Sequence, residues 1–355
     1  MALETHQSGA AGSATFSGSD SRRYSYFEPE GKRATLYEDV TVDVQPDPAR
    51  HLLQGWILSF ANGLPTYGEY TTAAKSSDWH IFRAADQEWS RTHYQRQSHI
   101  ENTIKMVVEN ARADGAPGRF GADWVKVLER HFGAQKHAEF GLGVALMKAQ
   151  RDGMTQMINN AILTNASYKL RLSQDITLYL GDIGLDIAID EDAGKKAWLE
   201  DPLWQGTRKA IEAILAATDH VEIYFAVNVV FECLVGELFR SGFIMRAAPV
   251  HNDFVTPMVV SAAADDYRRN LANTLTLMKL LSGDAQHAVA NRKLMTEWLA
   301  KYVPLCADAA RQLEPVWSQT RNGALSYAGV ATETHHRCKD ILTEMGLGLP
   351  AGVTL

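Results

Sequence analysis

Residues 78–113 read DWHIFRAADQEWSRTHYQRQSHIENTIKMVVENARA, and residues 114–121 read DGAPGRFG. In the first stretch Trp89, Ile100, Ile104, Val107 and Val108 recur at three- and four-residue spacings, which marks one apolar face of a helix. No proline falls between Pro65 and Pro117. A helix of about 36 residues spans about 54 Å at 1.5 Å per residue. The usual helix has about a dozen residues. The second stretch holds Gly115, Pro117, Gly118 and Gly121 and reads as a loop. A long helix, a short loop and a second long helix over 122–150 set the pattern for the chain.

The pattern continues outward. A third helix is expected to reach about Leu180, and 181–196 reads as a short helix and a loop. Helices are expected near 203–217, 219–242, 251–282, 285–312, 315–322 and 326–346, with Asp219 as an N-cap. Prolines, Pro304 among them, are read as boundaries. Strand signals are nearly absent beyond residue 45, and no period of 20–50 residues repeats. The fold class is therefore all-α, a bundle of long helices with short loops. A length of 355 residues suggests about two domains. One oversized bundle over 51–346, with a short tail at 347–355, explains that length better, because long helices consume residues without adding domains.

The N-terminal end reads differently. Residues 1–21, rich in Gly, Ser and Ala, read as a flexible tail. Residues 22–50, RRYSYFEPEGKRATLYEDVTVDVQPDPAR, read as an extended arm with almost no helix. Val40, Val42 and Val44 alternate with polar residues, and Pro46 and Pro48 force extended backbone. Such an arm has no core of its own. Its side chains either pack along their own chain or embrace a partner subunit. On the second reading the interface residues are Tyr24, Tyr26, Phe27, Tyr37, Glu38, Asp39, Val40 and Val42.

Composition excludes several classes. Apolar residues make up 46%, enough to build a core. Thirty-five Lys and Arg against 42 Asp and Glu give a net charge of −7, the wrong sign for a general nucleic-acid binder. The start of the chain lacks the basic and apolar regions of a signal peptide. The stretch closest to a membrane span, Ile223 to Leu238, is interrupted by Glu232 and Glu237. Cys233, Cys306 and Cys338 are far apart and form no CxxC pair, which suits a reducing cytoplasm.

No GxGxxG, P-loop, GxSxG or HExxH motif is present. A long-helix bundle can hold a di-iron centre, which needs two Glu-x-x-His tetrads and two further Glu. One such tetrad exists, Glu333–His336, and one cannot hold two metals. Asp284-x-x-His287 sits at a helix start, where Asp is a cap. Lys136–Glu139 reads as an i, i+3 pair worth some tenths of a kcal/mol. More telling are broken versions of the pattern. Ala134-Gln135-Lys136-His137 looks like a tetrad whose Glu became Ala. Glu232 is an acid on an apolar face, and Asp266-x-x-Arg269 could replace a second tetrad.

With these residues the chain resembles the β (small) subunit of the hydroxylase of soluble bacterial multicomponent di-iron monooxygenases. That group acts on methane, phenol, toluene, alkenes and propane. The arm, Thr35-Leu36-Tyr37-Glu38-Asp39-Val40-Thr41-Val42 with Gln45-Pro46, is most similar to the propane type. The resemblance covers about residues 22–345. It implies a ferritin-like bundle that has lost the metal ligands kept by a sister α subunit. The first tetrad then matches Ala134 and His137, the following Glu matches Glu232, and the second tetrad matches Asp266 and Arg269. The first lone Glu falls near Ile104. Ile104 and Ala134 offer no ligand atom, and Arg269 cannot shed its proton. A buried Asp266–Arg269 ion pair is the expected remnant.

The resemblance further implies that this chain holds no catalytic residue, cofactor or metal. The di-iron centre would lie in α, and FAD and a 2Fe-2S cluster in a reductase. Expected partners are α, a second β in an α2β2-type assembly, a coupling protein and the reductase. The assembly would hydroxylate small hydrocarbons with O2 and NADH. Two other classes stay open on the residues alone: a ferritin-like metal-binding oxidase, and a helical adaptor.

Overall fold

The structure is a computed structural model and describes residues 29–42, 71–320 and 326–355. The expected tail at 1–21, Tyr24, Tyr26, Phe27 and residues 43–50 of the arm lie outside the described residues.

Among the described residues the chain is helical, with no strand. The elements are α1 (Leu36–Val42), α2 (Ser90–Ala113), α3, α4 (Gln156–Gly184), α5 (Ala193–Glu200), α6 (Pro202–Ala216), α7, α8 (Thr256–Ser282), α9 (Ala288–Gln312) and α10 (Tyr327–Glu344). Two of them change pitch. α3 runs from Ala122–Val127 through a π-helical turn, Leu128–Phe132, into Gly133–Gln150. α7 starts as His220–Phe225 and continues as π-helix over Ala226–Gly236 and Leu238–Ile244. The wider turn shifts side-chain register, so α7 is buried nearly all round.

Helix starts follow local chemistry. Thr155 caps α4 by accepting from the Ile158 amide. Asp201 accepts from Leu203 ahead of α6, whose first residue is Pro202. Asp219 accepts from Val221 and Glu222, as expected. Pro304 is not a boundary; it lies inside α9. There it removes one backbone hydrogen bond without ending the helix.

α2 starts twelve residues later than expected. Asp78 accepts from the His80 amide and makes a tight 3-10 turn at Trp79–Ile81. Gln87 adopts φ +47°, which no helix tolerates, and Trp89 is extended. The apolar spacing is therefore a helix signal only from Ser90 on.

The arm is also corrected. Leu36–Val42 is a helix, because Thr35 and Glu38 form a capping box. The Thr35 amide donates to Glu38 Oε2 at 2.9 Å, and the Glu38 amide donates to Thr35 Oγ1 at 3.2 Å. Glu38 also accepts from Arg83 Nε at 2.8 Å and from the Glu30 amide at 3.0 Å. Tyr37 Oη accepts from the Ala84 amide at 3.0 Å. Tyr37 and Glu38 are buried on their own chain and so are not the partner-facing groups expected of them. Asp39 and Val40 remain half-buried. Glu38→Ala removes the cap and a sheltered ion pair together. The expected cost is about 2 kcal/mol, with faster proteolysis ahead of residue 71. An unchanged melting curve and digest would show that α1 is held by something else.

The α3–α4 antiparallel pair is the most extensive helix contact. It closes tightly because Gly143 lies under Leu170: a Cβ on Gly143 would come within 2.8 Å of the leucine side chain. Trp124, Phe132, Trp204, Phe239, Phe243 and Tyr302 fill one continuous core. The last residues are not a loose tail, since Leu347, Leu349, Val353 and Leu355 pack half-buried against that core.

Candidate functional site: the charged centre of the bundle

Four side chains from three helices meet between α3, α4 and α7. Glu139 comes from α3, Lys169 from α4, and Glu232 and Arg240 from α7. Lys169 Nζ lies 2.9 Å from Glu139 Oε2 and also donates to Glu232 Oε1. Arg240 Nη1 donates to Glu139 Oε1 at 2.7 Å, and its Nη2 donates to Glu232 Oε2. Two carboxylates are thus bridged by two cations. Gln135 Nε2 adds a donor to Glu139 at 3.1 Å. Glu237 joins Arg240 to Arg337, each at 3.3 Å. Glu232 and Arg240 have no exposed surface. Burial by itself raises the Glu232 carboxyl, but Arg240 and Lys169 pull it down to about 2.

A second network ties α2 to α4 and α8. Asp266 accepts from Arg96 at 2.6 Å and from Arg171 at 2.5 Å. Glu88 accepts from Arg96 at 3.0 Å and from Tyr168, lies 3.2 Å from His93 Nδ1, and is 3.3 Å from Arg269. Arg269 also pairs with Asp86 at 3.3 Å. Burial opposes ionisation of Glu88, yet His93, Arg96 and Tyr168 hold its carboxyl down at about 2. Asp175 behaves oppositely. Burial pushes it up to about 6, Arg171 offsets only part of that, and Glu101 and Asp266 add repulsion.

That last pair of facts fixes a pH dependence. A carboxyl raised to about 6 keeps its proton longer in the folded state than in the unfolded one. Its contribution therefore falls as pH rises from about 4 to about 6. Asp175→Asn removes the penalty and is expected to stabilise the chain by about 1–2 kcal/mol at pH 7.5 and by nothing at pH 4. Urea titrations at both values decide it, and equal shifts at the two would refute it.

The expected site residues are only partly brought together. Ile104 and Ala134 are plain core. His137 is half-buried, with its ring stacked 6.2 Å from Trp198 and its Nε2 without a partner. Asp266 and Arg269 share the second network but do not pair with each other; Arg96 and Arg171 are the cations on Asp266. Glu333 pairs with Arg246, and His336 is exposed. Asp284 is not the N-cap expected of it: it accepts from the Gln286 and His287 amides in the turn ahead of α9, whose N-cap is His287.

Glu139, Lys169 and Arg240 were missed as members of the centre. Glu139 does not pair with Lys136; it is buried on Lys169 and Arg240. The signal was available. Ile158, Ile162, Asn165, Lys169, Leu172 and Ile176 lie at helical spacing on the buried side of α4, so Lys169 sits in the middle of a core stripe. Glu139 stands in the same way between Gln135, Leu142 and Leu146. A lysine and a glutamate inside two neighbouring core stripes call for each other.

Known proteins support a single family. Residues 56–285 match the family described as Methane/Phenol/Alkene Hydroxylase. The hydroxylase small subunit of propane 2-monooxygenase from Mycolicibacterium smegmatis is 42% identical over 342 residues, covering 96% of this chain and 93% of that protein. The chain belongs to the methane/phenol/alkene hydroxylase family. The methane monooxygenase component A beta chain of Methylosinus trichosporium is 25% identical and matches 84% of this chain and 78% of its own length. Among solved structures, a chain of phenol hydroxylase from Pseudomonas sp. OX1 superposes with TM-score 0.77 at 18% identity, covering 94% of this chain and all of that one. The ferritin-like helical bundle is thus the fold of this hydroxylase family.

The family implies a di-iron centre, and the centre of this chain does not fit one. Two irons require several anionic oxygens and neutral imidazoles around an open space. Here an ammonium and a guanidinium lie between the carboxylates, and neither cation has a lone pair to offer. Among the described residues no group of three or more His, Cys, Asp or Glu is arranged to hold a metal.

Proposed function

We propose that this chain is the small, non-catalytic subunit of a propane-type di-iron monooxygenase hydroxylase. The observation that carries the reading is 42% identity along 96% of the chain to a propane 2-monooxygenase hydroxylase small subunit. The cation-filled centre supports the division of labour. Lys169 and Arg240 neutralise carboxylates that a metal would otherwise balance, so the bundle needs no iron to stay folded. The di-iron centre then belongs to a larger partner subunit, where it would supply oxygen activation. A reductase carrying FAD and a 2Fe-2S cluster would deliver electrons from NADH, with a coupling protein between them. The assembly is of α2β2 type and works in the cytoplasm. It inserts one atom of O2 into a small hydrocarbon.

The chain contributes surface to this assembly. Phe140, Val144 and Met147 stand one turn apart along α3 at 56%, 40% and 37% exposure. A row of large apolar groups on one helix suits a covered face. Of the arm contacts expected with a partner, Asp39 and Val40 are half-buried rather than buried.

Co-expression with the larger subunit, size-exclusion chromatography and metal analysis test the reading. The two chains are expected to co-elute, with iron only where the larger chain is present. Two irons on the isolated small chain, with oxidase activity, would overturn it.

A further inference from the structure

The chain has three cysteines, and they come from three helices of the C-terminal half, of which α7 packs against both α9 and α10. Cys233 lies on the π-helical part of α7, Cys306 on α9 and Cys338 on α10, and all are buried as free thiols. Cys233 and Cys338 lie near enough across the α7–α10 contact for each thiol to act on the other. The backbones that carry them are pressed together. A Cβ on Gly242 of α7 would come within 2.3 Å of Val330 on α10, and Arg337, beside Cys338, reaches Glu237 of α7. We propose that Cys233 and Cys338 are a dithiol modification site, oxidised by hydroperoxides to a disulfide that pins α10 onto α7.

The two thiols are not equivalent. The neighbouring Cys233 thiol is the foremost influence on Cys338 and lowers its thiol below the usual range, with Lys339 helping and burial opposing. The Cys338 thiol, together with burial, pushes the Cys233 thiol up. Cys338 is therefore the attacking group. Its thiolate takes the terminal oxygen of the peroxide, the O–O bond breaks, and the leaving oxygen departs as water or an alcohol. The resulting sulfenic acid is attacked by the Cys233 sulfur. The S–S bond forms, the S–O bond breaks, and the hydroxyl leaves as water with the Cys233 proton. Two electrons pass from the two thiols to one peroxide. Access requires local opening of α10, the last helix of the chain, so the reaction is slow beside that of an exposed thiol. Cys306 is buried on α9 and lacks a thiol partner of this kind, and its thiol is raised chiefly by burial.

Hydrogen peroxide applied to the purified full-length protein tests this, followed by a thiol count in denaturant and non-reducing peptide mapping. The count is expected to fall from three to one, with a Cys233–Cys338 peptide pair and a raised melting temperature that dithiothreitol reverses. Cys338→Ser and, separately, Cys233→Ala should each abolish the pair, whereas Cys306→Ser should leave it intact. Three surviving thiols, a pair that includes Cys306, or only intermolecular disulfides would each overturn the assignment.

Discussion

Arg240→Met is expected to destabilise the chain by roughly 3–5 kcal/mol at neutral pH. The variant keeps the bulk of the side chain and removes the charge. Glu232 and Glu139 then share Lys169 alone, inside a site with no exposed surface on Glu232. The pH dependence separates this cause from lost packing. Glu232 is held down at about 2 in the folded chain, below its ordinary 4.5, through Arg240 and Lys169 working against burial. A depressed carboxyl contributes stability that is fully present above its unfolded value and is lost as pH falls toward the folded one. The gap between wild type and Arg240→Met should therefore be widest near pH 7 and shrink from about pH 4.5 downward. Urea unfolding at pH 7 and pH 3.5 measures it. A gap of equal size at both values would mean that the guanidinium only fills space. Pairing Arg240→Met with Glu232→Met should recover part of the loss, because the buried charge goes with its partner.

The second large effect is expected at Glu88. Its two oxygens gather Arg96, Arg269, Tyr168 and His93. Glu88→Ala leaves those groups short of an acceptor, at a cost of roughly 2–4 kcal/mol. The damage should be local first. His93 and Arg96 are the polar anchors of α2, which buries only His93, Gln97, Ile104 and Val108 along its length. Amide exchange is thus expected to rise most over the first half of α2, with α3 and α4 little changed. Uniform loss of protection across the bundle would contradict the anchoring role. Here too the effect should fade in acid, because the Glu88 carboxyl is held at about 2 and its contribution disappears as pH falls from about 4.5 toward that value.

Helix positions were legible in the residues to within a few positions, because apolar spacing and capping chemistry are local. α4, α6, α8 and α9 appear where period and punctuation place them. Errors arose where a short-range device overrode the period. The Asp78 turn and the positive φ at Gln87 delay α2. The Thr35–Glu38 capping box turns a strand-like run into α1, and that box was readable as T-x-x-E.

The charged centre was less legible. Glu232 stood out as an acid on an apolar face, and it is fully buried. The tetrad pattern points to Ala134 and His137, five and two residues before the residue that pairs in the centre, Glu139. Arg269 was given to Asp266, yet Arg96 and Arg171 reach Asp266 instead. Which cation meets which carboxylate depends on the rotation of each helix about its axis, and a change of one position turns a side chain by 100°.

The sequence by itself determined the helical class, the approximate span of the long helices and the resemblance to a hydroxylase subunit, since each rests on spacing or residue identity along the chain. Packing in three dimensions puts Lys169 and Arg240 between the carboxylates, turns Tyr37 and Glu38 onto their own chain, and buries all three cysteines. Those facts depend on helix rotation and on the π-turns of α3 and α7, which shift register without leaving a local mark in the residues.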